Sequence, residues 1–562
     1  MTRAQTIDPA AHSADSASRA DWLWAALPAL AATVCAIILS GAIFGRIPHV
    51  QDSIAQLFQA RIFAGGRLWA PAPPLPELFD YTNVVIADGR WYSQYPPGHS
   101  LLLVPGVWLG VPWLINPLLG GLSILGTFLL ARELFGRAIA RLAVLLAAVS
   151  PFLLLMSAEF MSHASSLFAT TFFLFFFFRA LRTQRVADGA LAGIFCALGL
   201  LVRPYSAVAI ALPCALLALA RLRNDRALMR PFAWTAGLAA AGLLLLLLYN
   251  WGTTGSPFVF GYSKLAGDLD VGLGFGKGPV PHTLGRGLRF TWQRLTGLNE
   301  RLFEWPVTSL WPIAVALAIA ALRRGRAGRR AGLLASLPAS LLVLYFFYWY
   351  QDANDCFGPR YLYEALGPLV ILSSVGVAAV GEALAQGLRA RGGASRWGFL
   401  LSVAVVVALT AASIAFRWPD LVTTRPVGAA GPDLQRTPGN PFEIYNPNFW
   451  GVSPALGNAV EARIHDRAIV FVDTWVPAVS DPARRTIARQ LKFGCAFAHE
   501  NPAWQRARVL FAHLAPVDWT PPANATDADL ARMMRENAAH FPGRSIYFYR
   551  AGWEAPRPVV RD

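Results

Sequence analysis

The sequence predicts a polytopic α-helical membrane protein with about eleven transmembrane helices and a C-terminal soluble α/β-like domain. Three observations predict it. Of 562 residues, 55% are hydrophobic and only 15% charged, with mean hydropathy +0.42, whereas a soluble domain carries about 25% charged residues. The apolar residues gather in blocks near the roughly 20 residues that a helix needs to cross a hydrocarbon core of about 30 Å. Arginines cluster between alternate blocks, as positive-inside sorting requires, and the blocks cease after residue 416.

Residues 1–22 form a polar tail without a signal-peptide pattern, and the block beginning near Trp22 is too long to be a cleaved apolar core. The expected spans are 23–44, 113–134, 142–158, 164–181, 188–202, 205–220, 231–250, 305–322, 331–350, 366–384 and 397–416. If these alternate, Arg132/Arg137/Arg141, Arg179/Arg182/Arg185, Arg221/Arg223/Arg226/Arg230, Arg323/Arg324/Arg326/Arg329/Arg330 and Arg389/Arg391/Arg396 share one side. That side is then the cytoplasm, which places a multi-pass protein in a bacterial inner membrane with its N-terminus inside. The module 23–416 sends loops 45–112, 159–163, 251–304 and 351–365 outward, and 417–562 becomes an external, periplasmic domain. Within that domain, Ala468–Val472, Arg508–Phe511 and Ser545–Tyr549 read as short buried strands. Asp527–His540 reads as a helix capped by Thr526, with Asp529 completing the capping pattern.

Several function classes are disfavoured. The net charge of +16 suggests nucleic acid, but the arginines lie between spans and not along a groove. The five cysteines have no metal-ligand spacing; Cys35, Cys196 and Cys214 lie in apolar spans, and Cys356 and Cys495 share the external side, where pairing is an open alternative. No HExxH, GxSxG, Walker or dinucleotide motif occurs in a supporting context, which disfavours an ATP-driven pump or a membrane protease.

The residues able to carry chemistry gather in the outward loops. After the first span comes Pro48-His49-Val50-Gln51-Asp52, followed by Ile54, Leu57, Phe58, Arg61 and Ile62 at the spacing of an amphipathic interfacial helix. Asp52 has two readings: a cap worth about 1 kcal/mol, or a carboxylate base at the membrane surface. In Arg90-Trp-Tyr-Ser-Gln-Tyr95-Pro-Pro-Gly-His99 the prolines start another interfacial helix. Tyr92, Tyr95 and His99 there line either a sugar or phosphate site or an aromatic belt at headgroup level. The next loop holds Met156-Ser-Ala-Glu159-Phe-Met-Ser-His163.

This set resembles the GT-C superfamily of integral-membrane glycosyltransferases: an acid after the first span, an amphipathic helix, a Pro-Pro helix and a second acid in the next outward loop. It is most similar to glycosyltransferase family 39, the protein O-mannosyltransferase and lipid A aminoarabinose transferase type. The likeness covers roughly residues 23–370 and rests on the order and sidedness of the set. It implies a sugar transfer from a polyprenyl-phosphate donor to an external protein, lipid or glycan, with inversion. Asp52 is then the base, Glu159 assists at the acceptor, and His163 binds donor phosphate or a loop carbonyl. The lack of a nucleotide motif suits a donor already activated as a lipid phosphate.

Two departures stand out. Tyr95 occupies the position before the paired prolines where aminoarabinose-type enzymes carry a basic residue, and Glu159 replaces an aspartate. Some other cation must meet the departing phosphate. The candidates are Arg61, Arg203 in Leu-Val-Arg-Pro-Tyr, Lys264, and Arg360 beside Tyr361. Arg203 interrupts an apolar stretch, where an arginine costs at least about 2.5 kcal/mol without a partner. Two acids can also hold a divalent cation, but this spacing specifies none. The rival readings are a lipid or solute transporter or flippase, and a scaffold that presents the C-terminal domain.

Overall fold

The computed structural model describes residues 19–322, 325–351, 357–387, 394–422, 454–473, 498–514, 526–550 and 553–559. Cys356 and Cys495 lie outside these residues, so the question of their pairing lies outside them too.

Long apolar helices build the body: α1 (Arg19–Ala42), α4 (Ile115–Phe135), α5 (Arg137–Ala148), α6 (Pro151–Ala158), α7 (His163–Thr183), α8 (Val186–Val202), α9 (Pro204–Leu222), α10 (Met229–Thr254), α13 (Trp311–Leu322), α14 (Arg326–Phe346), α15 (Leu366–Gly387) and α16 (Ala394–Val422). By length and apolarity, seven helices among the described residues can cross a membrane, or eight if α5 and α6 count as one span. The chain is a multi-pass membrane protein. Fewer segments meet that measure than the eleven expected: α8 and α13 are apolar but only 17 and 12 residues long.

The expected third span, 142–158, is broken. α5 and α6 meet at 57°, because Pro151 cannot donate a backbone hydrogen bond and Ser150 caps the new helix by accepting from Leu153 N. Ser150 Oγ also donates to Leu302 O at 2.6 Å, which pins the bend.

One end of the bundle carries Arg137, Arg141, Arg179, Arg182 and Arg330, held by ion pairs and a carbonyl contact. Buried Asp21 accepts from Arg137 Nε at 3.1 Å and Arg141 Nη2 at 2.8 Å. Arg179 pairs with Asp188 at 3.0 Å, Arg182 pairs with Glu133, and Arg330 Nη1 donates to Leu134 O at 2.5 Å. The opposite ends of these helices carry the remaining elements.

There, α2 (Gln51–Ala64) and α3 (Pro97–Trp108) pack together beneath a small antiparallel sheet of order β1-β3-β2: β1 Ala70–Pro71, β2 Val84–Ala87 and β3 Arg90–Ser93. α2 is not the free interfacial helix that the sequence predicts. Ser53 through Ala60, together with Ile62, are buried, and its polar groups are spent inside: Gln59 Nε2 donates to Leu68 O, and Gln59 Oε1 accepts from Ser93 N. Its periodicity was visible; the layer that covers its polar side comes from distant sequence. α3 does keep an open apolar edge at Leu101, Trp108 and Leu109. Gly98 brings α3 onto the α8–α9 break so closely that a Cβ there would meet Leu201 C at 2.7 Å, and one on Gly261 would meet the Gln94 backbone at 2.6 Å. α11 (Gly261–Ala266) and α12 (Leu284–Arg301) complete this end.

The C-terminal part forms a four-stranded sheet of order β5-β4-β6-β7. Its strands are β4 Ala468–Val472, β5 Val509–His513, β6 Ser545–Tyr549 and β7 Arg557–Pro558, with α17 (Ala455–Arg463) and α18 (Asp527–Ala538) beside them. β4 pairs parallel with β5 and β6, and its five residues are all buried. Thr526 and Asp529 form a reciprocal capping box on α18.

Candidate active site

Asp52 stands in the first turn of α2. Its Oδ2 accepts from Arg360 Nη1 at 3.0 Å and its Oδ1 from Asn83 Nδ2 at 3.1 Å. The Tyr95 phenol is the next polar group in the neighbourhood of this carboxylate. The Asp52 side chain keeps 21% of its surface exposed, so an incoming group can still reach it. Burial, then Asp52 and Tyr262, push the Tyr95 phenol well above its ordinary range, which keeps it protonated.

Arg360 opens the 3₁₀ segment Arg360–Ala365 that leads into α15. Its guanidinium lies 5.4 Å from the centre of the Tyr361 ring. Arg203, between α8 and α9, lies 5.5 Å from the same ring, and Arg294 of α12 lies 5.7 Å from it. Three guanidinium groups therefore converge on Tyr361, which stacks on Tyr345 at 4.4 Å and 8°. The aromatic faces screen the like charges and supply cation–π attraction. Arg203 Nε pairs with Glu364 Oε1 at 2.7 Å, and Arg294 donates to Tyr345 O at 2.8 Å and Tyr350 O at 3.3 Å. Asp52 on Arg360 and Glu364 on Arg203 bring two carboxylates to the same cluster.

Glu159 is drawn to the residue beside Asp52. Its Oε1 accepts from His49 N at 3.1 Å and its Oε2 from Ser53 Oγ at 2.7 Å, while Asn116 Nδ2 holds its carbonyl at 2.5 Å. Both carboxylate oxygens thus face the start of α2. Glu159 thereby ties the loop after α6 to the turn that carries Asp52, and its side chain is buried. Burial raises its carboxyl to about 7, although Ser53 and the backbone donors pull the other way.

The remaining expected residues divide. His163 is buried beside Tyr363, with its two ring nitrogens unpartnered. Tyr95 packs edge-on against Tyr262 at 5.4 Å. His99 ties α3 to the next loop instead of lining the site: Nε2 meets Phe160 O at 2.6 Å and Nδ1 meets Ser165 Oγ at 2.7 Å. Burial lowers it to about 4, so it is neutral, and the carbonyl contact makes Nε2 the protonated nitrogen. Lys264 turns to Asp88 at 3.0 Å, in an exposed pair. Arg61 lies nine residues along α2 from Asp52, about 14 Å at 1.5 Å per residue, in a cleft with Arg67, Trp504 and Arg506.

Sequence reading missed Asn83, Arg294, Tyr262, Tyr345 and Glu364. Glu364 had a usable signal, since a buried arginine in an apolar run asks for an acid. Among the described residues, no three His, Cys, Asp or Glu side chains gather as a metal-ligand set.

Comparison with known proteins agrees with the resemblance. Residues 111–251 match the family described as dolichyl-phosphate-mannose-protein mannosyltransferase. No curated protein matches the chain. Among solved structures, ArnT from Cupriavidus metallidurans bound to undecaprenyl phosphate is 14% identical, with 76% of this chain and 86% of that one covered and a TM-score of 0.46. The Archaeoglobus fulgidus oligosaccharyltransferase tethered to an acceptor peptide is 14% identical over 69% of this chain and 55% of that one, TM-score 0.38. Arabinosyltransferase EmbB from Mycobacterium smegmatis is 15% identical over 69% and 41%, TM-score 0.38. The functional reading rests on the family match over residues 111–251 and on the site itself.

Proposed function

We propose that this chain is a glycosyltransferase that moves a sugar from a polyprenyl-phosphate donor to an acceptor outside the cytoplasm, with inversion. The observation that carries the reading is a carboxylate, Asp52, joined through Arg360 to a cluster of three guanidinium groups around one tyrosine. The arrangement supplies the two things a displacement at the anomeric carbon needs. Asp52 takes the proton from the acceptor hydroxyl or amine as that atom attacks. The bond from the anomeric carbon to the phosphate oxygen then breaks, and the departing lipid phosphate gains negative charge that the arginines are already placed to meet. Attack and departure on opposite faces of the sugar invert the configuration.

Arg360 Nη1, 3.0 Å from Asp52 Oδ2, fixes the direction in which that carboxylate faces. The family match supports a lipid-phosphate donor, because the family's description names one. The basic clusters at the other end of the bundle support an outward-facing site, since such clusters mark the cytoplasmic end. Ionisable groups gathered at one end of the helices also favour an enzyme over a transporter, whose charged site lies near the midplane.

The test is Asp52→Asn, which keeps volume and hydrogen bonding but cannot take the proton. Transfer should fall about 10²- to 10⁴-fold, with loss of the glycan and build-up of polyprenyl-phosphate sugar in cells. Unchanged glycans with a folded variant would remove Asp52 from the role of base.

A further inference from the structure

The C-terminal sheet reaches the site through a chain of buried contacts. Asn83 has a positive φ of 67°, a conformation asparagine tolerates better than most residues. Gln94 fixes its amide: Gln94 Nε2 donates to Asn83 Oδ1 at 2.7 Å and Gln94 N to Asn83 O at 3.1 Å. With its oxygen taken, the Asn83 Nδ2 group is left to point at Asp52.

Two residues before Asn83, Tyr81 is buried and stacks on Trp91 at 6.4 Å and 18°. Its hydroxyl accepts from Asn501 Nδ2 at 2.8 Å and donates to Phe511 O. Asn501 is wholly buried; it also donates to Phe511 O at 2.7 Å and accepts from Phe511 N at 3.1 Å. β5 is the edge strand of its sheet, so these main-chain groups of Phe511 are satisfied by Asn501 and Tyr81 in place of another strand. His513 of the same strand lies 5.2 Å from the Tyr81 ring, with Nε2 3.2 Å from Asp80 O.

We propose that the C-terminal domain is a working part of the transfer site: it grips the Asp80–Asn83 turn through a Tyr81–Asn501–Phe511 latch and thereby positions Asp52. Tyr81 and Asn501 are positioning residues. The inference rests on the reading of Asp52 as base, and it gives the sheet domain a task beyond covering or presentation. An apolar cluster continuous from Phe58 of α2 through Phe79 and Trp91 to Leu510 and Phe541 backs the latch. Opening the latch leaves buried polar groups without partners, so it stays closed.

The experiment uses the full chain in lipid nanodiscs, with Asn501→Ala and, as the milder change, Tyr81→Phe. Amide hydrogen exchange over residues 80–94 is measured beside steady-state transfer. Faster exchange in that segment, together with a fall in kcat of about tenfold at a donor KM held within about twofold, supports the latch. Exchange over 80–94 that matches the wild type in both variants overturns it. So does faster exchange with unchanged kcat, because the turn would then be held without any effect on the reaction. The exchange measurement needs no turnover: a wild-type protein without transferase activity would sink the proposed reaction while leaving the physical coupling to be judged separately.

Discussion

The Arg203–Glu364 pair offers a direct test of whether charge inside this bundle serves stability or chemistry. Glu364 has no exposed surface and the Arg203 side chain keeps 16%, with Nε 2.7 Å from Oε1. Removing one member of a buried pair strands the other charge and typically costs about 3–5 kcal/mol. The partial exposure of Arg203 lets it reach toward water, so Glu364→Ala should cost near 3 kcal/mol, the lower end of that range. Removing both charges with residues of similar size, Arg203→Met with Glu364→Leu, should return most of that stability. It should not return activity. If Arg203 meets the departing phosphate, the double variant loses about 10²- to 10³-fold in kcat while remaining folded. The assay pairs thermal unfolding in detergent, followed by size exclusion, with transfer of labelled sugar from lipid phosphate. A double variant as active as the wild type would refute Arg203 as part of the phosphate site. A Glu364→Ala protein as stable as the wild type would refute the stranded-charge reasoning itself.

Arg360→Ala should lower kcat about 10²-fold or more, and Arg360→Lys should recover only part of it, because a point charge cannot face Asp52 and Tyr361 as a planar guanidinium does; single-turnover rates decide this. Glu159 binds its proton more tightly folded than unfolded, with burial raising it from the ordinary carboxyl range near 4.5 to about 7. Stability should therefore fall as pH rises from about 4.5 to about 7, by on the order of 3 kcal/mol. Melting curves across that window should flatten in Glu159→Gln. Gly98→Ala should destabilise by about 1–3 kcal/mol, since the new methyl meets Leu201 main chain at 2.7 Å; an unchanged melting temperature would mean that α3 can shift aside.

The parts of this molecule legible in the sequence were those with a local signature. Long apolar runs announced α1, α4 and α7, and Thr526 with Asp529 announced α18. Asp52, Arg203 and Arg360 were conspicuous because charge is rare near apolar segments. Their partners were not. Asn83 and Arg294 reach the site only through tertiary folding, and nothing local in the loop 351–365 marks Glu364 as the buried counter-ion of Arg203. Ser150-Pro151 was in plain view as punctuation, yet hydropathy averaged over the stretch concealed a 57° bend. Glu159 shows the limit most clearly: sequence could mark it as an acid near the site, but only the donors His49 N and Ser53 Oγ reveal that it faces protein.

The two close glycine contacts have a mechanical consequence. With Gly261 pressed on the Gln94 main chain and Gly98 pressed on the Leu201 main chain and Val202, the stretch from Gln94 to Gly98 is clamped at both ends. Such a stretch cannot serve as a hinge. Any motion that opens this end of the bundle must swing about other joints and carry this segment along as a rigid strut.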